Sequence, residues 1–491
     1  MPRQRRLPSV VLTLDPADAL WGIMSELVEL HAIARIPDDE RHGRASSLLP
    51  LWFSMNASVL AVTTGVIGIE LGASLASTIV AIVLGNLIGG LFMAYHSAQG
   101  PVLGLPQMVQ SRAQFGFLGA AVPNLMAIAM YVGYYVAGGV LAGQAISNLL
   151  HVSTGLGIAI ATVLTWLLAF LGYRAIHLFN RGMAVASAVL LIVLMVRVLQ
   201  HLGGTHYVAT ANTPASFLLM LSIAASWQIT YAPYVSDYSR YLPATTSSRR
   251  TFLYTYGGSV AGAGLFMTLG AIAGAQALHA LSTDSVGYLS ALLPGVSGLV
   301  TVLLFFGLVA SNCENLYGPY VTIMATVTRA GGRFRSELTR GAFTAVLAVV
   351  GGVVGSAVSD NFVTNLINFI TFLLYLLVPW TAINLVDFYV IKKGHYDVTQ
   401  ILSVDGIYGR VNWRAIGVYA VAALAEVPFM NSVVYEGPIA KSIGGVDIAW
   451  VIGLLVSGAL YYFLSRNTGV GPEAGAPAES LVGATPAEAP A

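Results

Sequence analysis

The sequence predicts an all-α integral membrane protein of about twelve spanning helices, and three observations predict it. Only 9% of the 491 residues are charged and 56% are hydrophobic, against about 25% charged in a soluble domain; so few charges could not cover a chain of this length in water. About twelve apolar stretches approach or exceed the roughly 20 residues that cross a bilayer as a helix. Nearly all of the 23 Lys and Arg residues fall in alternate gaps between those stretches. Arg35, Arg41 and Arg44 precede the first, Arg112 follows the second, and Arg174 and Arg181 follow the fourth. Arg240, Arg249 and Arg250 come next, then Arg329, Arg333, Arg335 and Arg340, then Lys392, Lys393, Arg410 and Arg414. Of the full set, only Arg197 and Lys441 lie on the other set of gaps or at its edge. Cytoplasmic loops carry such an excess of basic residues, so the span count is even and both termini are expected in the cytoplasm.

The first span begins only near Leu48. The start, Met1 to Leu14, is too short an apolar run, and too interrupted by Pro8 and Asp15, to read as a signal peptide, so residues 1–47 are an N-terminal arm. Spans are then expected near 48–69, 74–95, 118–149, 155–173, 182–202 and 214–235, and near 253–275, 296–327, 341–359, 361–390, 413–432 and 447–465. They form one membrane domain, 48–466. Two connections on the basic side, Ser97–Gly116 and Lys392–Asn412, are longer than turns; on the other side the longer gaps are Leu278–Pro294 and Asn431–Val446. The tail, 467–491, is rich in Ala, Gly, Pro and Glu and is expected to be disordered. The 52 glycines suit close packing of helices in lipid.

Two spans carry polar residues where only apolar ones belong. The first holds Ser54, Asn56, Ser58, Thr63, Thr64 and Gly65; the sixth holds Ser226, Gln228, Thr230 and then Pro233. Interrupted helices are tolerated in a membrane where the backbone lines a cavity. Two of them five spans apart suggest two five-helix repeats, about 48–202 and 214–390, with extra helices at about 413–465. An odd number of spans inverts the second repeat against the first, an arrangement whose binding site lies at the interruptions near the midplane.

The polar and aromatic residues of three spans then become the candidate site. Tyr131, Tyr134 and Tyr135 stand at i, i+3 and i+4 on the third span, hence neighbours on a helix surface. Trp227 and Tyr231 stand four apart on the sixth beside Gln228, and Asn312 and Asn315 flank Glu314 on the eighth. Aromatic belts at the membrane surface are the common case, but Tyr134 and Trp227 fall about halfway along their spans. Glu314 is an ionisable group deep in a span, a functional-site hypothesis by default; Glu426 in the eleventh reads as a packing or inward polar contact. Asp237 and Asp387 end their spans beside basic residues, as loop ion pairs or gate elements. Facing aromatic planes with side-chain amides suit a flat heterocycle, since an amide offers both a donor and acceptors. No Arg or Lys lies centrally, which disfavours a strongly anionic substrate. Cys313 is the only cysteine and the nine histidines lack paired helical spacing, so neither a thiolate nor a zinc centre is expected. No cofactor is expected, and the net charge of +1 gives no reason to expect a nucleic-acid partner.

At these residues the chain resembles the purine–cytosine permease branch of the nucleobase–cation symporter-1 family. The segments that carry the resemblance are Ile36-Pro-Asp-Asp-Glu-Arg-His-Gly43, Gly85-Asn-Leu-Ile-Gly-Gly90, the long run from His96 to Gly116, the run from Ser226 to Pro243, and Ala310-Ser-Asn-Cys-Glu-Asn-Leu-Tyr317. The resemblance implies a five-plus-five inverted-repeat, leucine-transporter-like fold of twelve helices, and symport of nucleobases or related heterocycles with Na⁺ or H⁺ across the cytoplasmic membrane. It implies a substrate site at Tyr134, Trp227 with Gln228, and Asn312 with Asn315, and Tyr131 falls where several members carry Gln; with Tyr231 from the stripe on the sixth span these are the expected substrate residues. It further implies a sodium site at Gly307, Ala310 and Ser311 with backbone near Ser54 and Ala57. Two departures matter: several members carry Trp at the position of Tyr134, and some carry a neutral residue at Glu314. One hydroxyl at the sodium site and a carboxyl beside it favour H⁺ over Na⁺. Cytosine, adenine, hypoxanthine, allantoin, thiamine and pyridoxine-like rings all remain open as substrates. A passive channel would need a continuous polar pore, and an intramembrane enzyme would need a nucleophile–base or metal set; the polar residues instead cluster at one depth.

Overall fold

In hydrocarbon every backbone N–H and C=O must be paired within its own segment, so a chain of apolar spans has little choice but to form helices. The computed structural model describes residues 33–170, 173–202, 207–327, 337–432 and 434–467. The arm up to residue 32, the side chain of Arg174, Arg329, Arg333, Arg335 and the tail from residue 468 lie outside the described residues. Among those residues the regular secondary structure is all helical, joined by turns and loops, apart from an isolated bridge between Asn431 and Glu436.

In chain order the helices are α1 (Leu48–Met55), α2 (Val59–Glu70), α3 (Leu75–Ser97), the short α4 (Gly100–Leu103), α5 (Gln107–Gln110) and α6 (Arg112–Phe115), α7 (Ala121–Leu150), α8 (Thr154–Phe170) and α9 (Tyr173–Gln200). There follow α10 (Pro214–Ile229), α11 (Ala232–Ser239), α12 (Ser248–Thr283), α13 (Ser285–Ala291), α14 (Ser297–Val327), α15 (Glu337–Val358) and α16 (Phe362–Leu385), which a π-helical turn extends through Val386–Ile391. The chain closes with α17 (Val398–Ile401), α18 (Trp413–Glu426), α19 (Pro438–Ser442) and α20 (Ala449–Ser465). Each expected span coincides with a helix or a broken helix. By length and composition, 7 of the described helical runs can cross a membrane, one of them the run 339–391 that holds both α15 and α16, and up to 8 if the bent pair α1–α2 is one span. Leu125, Val346, Val349 and Val353 are exposed on the helix surfaces, as side chains facing lipid would be.

The two expected interruptions differ. Between α1 and α2 the axis turns by 62°, and Ser58 is extended and caps α2 by accepting the Ala61 N–H at 3.2 Å. Between α10 and α11 only Thr230 and Tyr231 leave the helix, and 214–239 still counts as one span. Its start follows from sequence: Thr213 and Ser216 form a reciprocal capping box with Pro214 in the first turn, which satisfies donors that a helix end leaves orphaned. The expected gap Leu278–Pro294 is mostly helical, because α12 runs on to Thr283 through a non-helical Ala277 and α13 follows at once.

A broken helix leaves polar groups that water cannot satisfy, and here side chains take them. The Asn56 amide donates to the Trp52 carbonyl at 2.7 Å and to the Ser259 hydroxyl at 3.1 Å. Its oxygen accepts the Trp227 indole N–H at 2.7 Å and the Tyr231 hydroxyl at 3.3 Å. Gln228 donates to Asn86 Oδ1 at 2.7 Å and to the Ser259 carbonyl at 3.2 Å, and accepts from the Ser259 hydroxyl at 2.6 Å. One network thus joins α3, α10, α12 and the break after α1. Alongside it α2 lies on α12 with backbone almost touching backbone. A Cβ on Gly65 would stand 1.9 Å from the Met267 carbonyl oxygen, and one on Gly270 1.8 Å from that of Val62.

The connection Ser97–Gly116 folds into α4, α5 and α6 and is buried at Gln99, Gln107, Gln110, Ser111, Arg112 and Gln114. Its glutamines carry a chain of hydrogen bonds across the bundle. Ser236 of α11 donates to Gln107 Oε1 at 2.6 Å, Gln107 to Gln99 at 3.5 Å, and Gln99 to Asn384 of α16 at 2.8 Å. Asn384 donates to Gln114 at 3.3 Å, and Gln114 to Asp387 at 3.1 Å. Asp387 also accepts from Tyr396 at 2.6 Å and Tyr461 at 3.1 Å, and Asp237 accepts the Gln107 backbone N–H at 2.8 Å. Both aspartates, expected as loop ion pairs or gate elements, are therefore tied to this connection. Arg112 donates to the Ala325 carbonyl in the last turn of α14, the end of a helix that favours a cation. Arg41, before α1, is buried with its guanidinium on the Ile36 and Pro101 carbonyls. Burial pulls its pKa down while Asp38 pulls it up.

Two outcomes are expected. Gly65→Ala forces α2 off α12 and lowers the thermal unfolding midpoint in detergent, the overpacking costing about 1–3 kcal/mol; an unchanged midpoint would contradict the close contact. Asn56→Ala strands the Trp227 indole N–H in a dry site, at about 1–3 kcal/mol of stability, whereas an alanine at exposed Leu125 leaves the midpoint near wild type.

Candidate functional site

A cavity of about 990 Å³ opens between α1, α7, α9, α11 and α14. Its lining includes the exposed His42 and Arg181 with Tyr241 and the buried Arg240, so one end of it lies at the basic face of the bundle. Deeper in, its walls include Ser54, Tyr131, Tyr234, Glu314 and Asn315. Tyr131 and Tyr234 stack at 5.5 Å and 30°. Tyr238 and Tyr231 pack edge-on to the buried Trp52 at 5.3 and 5.5 Å.

Of the seven expected substrate residues, Tyr131 and Asn315 line the cavity, Tyr134, Trp227 and Tyr231 cluster at the α10–α11 break, and Gln228 and Asn312 are taken up by packing. Tyr134 bonds through its hydroxyl to Thr230 Oγ1 at 2.9 Å and stands edge-on to Trp227 at 5.9 Å and Phe369 at 5.2 Å. It sits at the α10–α11 break with Trp227, whose N–H is already held by Asn56. Tyr231 shares that acceptor, and Tyr131 faces the cavity. Asn315 lines the wall, its amide N–H₂ on Asn312 Oδ1 at 3.4 Å. Gln228 is fully enclosed, with both ends of its amide spent on Asn86 and Ser259. Asn312 is 2% exposed and donates to the Tyr135 carbonyl at 3.1 Å, clipping α14 to α7. These two amides hold the frame rather than face the cavity. Their residue type made them candidates, and their helical phase turns them into the packing. Tyr135 packs on Gly351 of α15.

Glu314 faces the cavity. Its Oε1 accepts from Asn180 of α9 at 2.6 Å and it is also hydrogen-bonded by Tyr238 of α11, so one carboxyl gathers three helices. The residues expected at a sodium site are less concentrated. Ser311 turns its hydroxyl back on the Leu308 and Gly307 carbonyls at 3.1 and 3.5 Å. Gly307 packs on Ser187 of α9. Ala310 and Ala57 are buried, and of this set only Ser54 lines the cavity. Glu426 is fully buried, with no hydrogen-bond partner for either carboxyl oxygen among the described residues, and lies against Gly453 of α20. Cys313 is buried against the Thr165 carbonyl of α8, so its thiol, next in sequence to Glu314, is turned toward α8. Among the described residues, no three His, Cys, Asp or Glu side chains are grouped to hold a metal ion.

Sequence reasoning missed Asn56 as the acceptor for Trp227, Tyr234 and Tyr238 as cavity walls, and Asn180 as the partner of Glu314. One signal was present. Trp227, Tyr231, Tyr234 and Tyr238 stand at i, i+4, i+7 and i+11, a single helical stripe that continues through the break. Asn180 had none, because only the packing of α9 on α14 brings it to Glu314.

The comparisons agree with this geometry. The family described as "Permease for cytosine/purines, uracil, thiamine, allantoin" matches residues 35–453. The chain is 37% identical over 443 residues to a Bacillus subtilis (strain 168) protein described as "Putative purine-cytosine permease YxlA", covering 89% of this chain and 96% of that one. It is 26% identical over 465 residues to the purine-cytosine permease fcyB of Emericella nidulans, covering 89% and 88%. Its fold is that of Mhp1. The inward facing conformation superposes with a TM-score of 0.71 at 22% identity over 89% of this chain and 94% of that one, and the closed conformation with bromovinylhydantoin bound with 0.66 at 21% over 90% and 95%. A helical fold with several membrane-length spans, an aromatic cavity at a broken helix and a match over most of its length lead to one conclusion: the chain is a multi-pass membrane protein that belongs to the cytosine/purine permease family.

Proposed function

We propose that the protein is a secondary active symporter that imports a nucleobase, purine or cytosine, together with a proton, without chemical change to its substrate. The observation that carries this reading is the cavity at the helix breaks, with aromatic faces from Tyr131 and Tyr234 and hydrogen-bonding groups from Glu314 and Asn315 on its walls. A flat ring gains about 1–3 kcal/mol per stacked aromatic in comparable contacts, and the polar groups give it a direction. Tyr134, Trp227 and Tyr231 are clustered at the α10–α11 break, with Tyr231 packed on the same Trp52 ring as the cavity-lining Tyr238. The basic end belongs to the cytoplasmic side by the distribution of Lys and Arg. The cavity therefore represents the state that releases substrate inward, and both termini lie in the cytoplasm. Alternating access follows from helices rocking about a site near the midplane.

Proton coupling is favoured over Na⁺ for a chemical reason. A sodium ion needs several oxygen ligands, and Ser311 is the single hydroxyl among Gly307, Ala310 and Ser311, already turned on its own helix. A carboxyl in a membrane interior is instead the usual proton carrier, and Glu314 is placed at the cavity wall. The test is uptake of radiolabelled cytosine and adenine into proteoliposomes with the pH and Na⁺ gradients imposed separately. Accumulation that follows the proton gradient and collapses with a protonophore is expected. Accumulation that follows Na⁺ alone would reassign the coupling. Absence of uptake of both bases would contradict the nucleobase reading and turn attention to allantoin, thiamine or pyridoxine-like rings.

A further inference from the structure

We infer that Glu314 binds the proton and the heterocycle in a single two-point contact, so that the loaded proton is itself part of the substrate site. The inference rests on the reading of the substrate as a nucleobase. The edge of cytosine or adenine that carries the amino group presents a ring nitrogen acceptor beside an N–H donor; the lactam edge of hypoxanthine presents a carbonyl beside an N–H. A carboxylate offers acceptors only and can match half of either edge. A protonated carboxyl offers one O–H donor and one acceptor and matches both halves at once. Base and proton then bind together, and each without the other binds poorly.

The geometry fits this role. Glu314 lies on the cavity wall next to Asn315, with the Tyr131–Tyr234 stack lining the same space. Its two partners, Asn180 at 2.6 Å and the Tyr238 hydroxyl, are neutral, so they orient the carboxyl without fixing its charge. The other titratable groups nearest to it are the hydroxyls of Tyr131 from α7 and of Tyr231 and Tyr234 at and after the α10–α11 break, with the Cys313 thiol on its own helix. The charged side chains that border the cavity are Arg181, Asp237 and Arg240, with His42 at its basic end. Of these Asp237 is held by the Gln107 backbone and Arg240 by the Ala34 and Asp237 carbonyls. No cation is within ion-pair distance of Glu314 in the described contacts, so nothing there compels the ionised form. The carboxyl can take a proton with the base and give it up when the base leaves.

Glu314→Gln separates this from a purely structural or purely proton-carrying role, because an amide permanently offers the donor and acceptor that the protonated acid offers. The experiment is equilibrium binding of radiolabelled adenine, and separately of cytosine, to the purified full-length protein across mildly acidic to mildly alkaline pH, with accumulation in proteoliposomes measured in parallel. Wild-type affinity is expected to weaken as pH rises, by up to about tenfold per pH unit once the carboxyl ionises. Glu314→Gln should bind at every pH with little change, and should not accumulate substrate under a proton gradient. Glu314→Ala should bind weakly at every pH, and a size-exclusion profile like that of wild type confirms that it is folded. If Glu314→Gln keeps the wild-type pH dependence, or Glu314→Ala binds as wild type does, the two-point contact is wrong. If wild type binds adenine with no pH dependence, the inference falls while the nucleobase reading stands. If wild type binds neither adenine nor cytosine, both fall.

Discussion

The Asn56 amide is the interaction on which the rest depends. A helix broken inside a membrane exposes donors and acceptors that water cannot reach, and each left unpaired costs several kcal/mol. Asn56 answers on four sides: it donates to Trp52 and Ser259 and accepts from Trp227 and Tyr231. The break in the first span, the indole of the sixth and the wall of α12 are thereby fixed relative to one another. Gln228, bonded to Asn86 and Ser259, extends the same network to α3. Apolar packing could not do this, because it has no direction.

That division of labour explains the cavity. Amides that look like ligands, Gln228 and Asn312, are consumed in holding helices together, while the residues that line the open space include Tyr131, Tyr234, Tyr238, Glu314 and Asn315. A site held by buried, fully bonded residues keeps its geometry. The hydrogen-bonded connection between α3 and α7 extends this order to the basic face. From Ser236 through Gln107, Gln99, Asn384 and Gln114 to Asp387, α11 and α16 share one chain of polar contacts. A movement of either helix must therefore be felt by the other or break the chain.

Much of the fold was legible because lipid imposes simple rules. Apolar length marks the spans, basic residues mark one side, and polar residues inside a span mark a break. The polar cluster from Ser54 to Gly65 marked the first span as broken, and the break falls at Asn56 to Ser58 with a bend of 62°. The cluster from Ser226 to Pro233 marked the sixth, and its break falls at Thr230 and Tyr231 within a run that stays a single span, because a sequence pattern registers lost helical bonding and not direction. The site was less legible. Residue type cannot say whether an amide faces a cavity or a neighbouring helix; Asn312 and Asn315 are three apart, yet one is clipped to Tyr135 and the other faces open space. Contacts such as Asn180 with Glu314, 134 residues apart in sequence, arise only from packing. Cys313 shows the reverse error, next in sequence to Glu314 and turned toward α8 by helical phase.

The central claim is that the substrate sits in the cavity between the first, sixth and eighth spans. Because Cys313 is buried against α8, it can be replaced to give a cysteine-free background, on which Ser54→Cys places a single thiol in the cavity wall. The rate at which a charged, thiol-specific reagent labels that residue, with and without adenine or cytosine, is the most direct measurement. Saturable protection by either base, absent with a sugar of similar size, is the predicted result. A labelling rate that neither base alters, in a protein that still binds them, would place the substrate elsewhere and contradict the account.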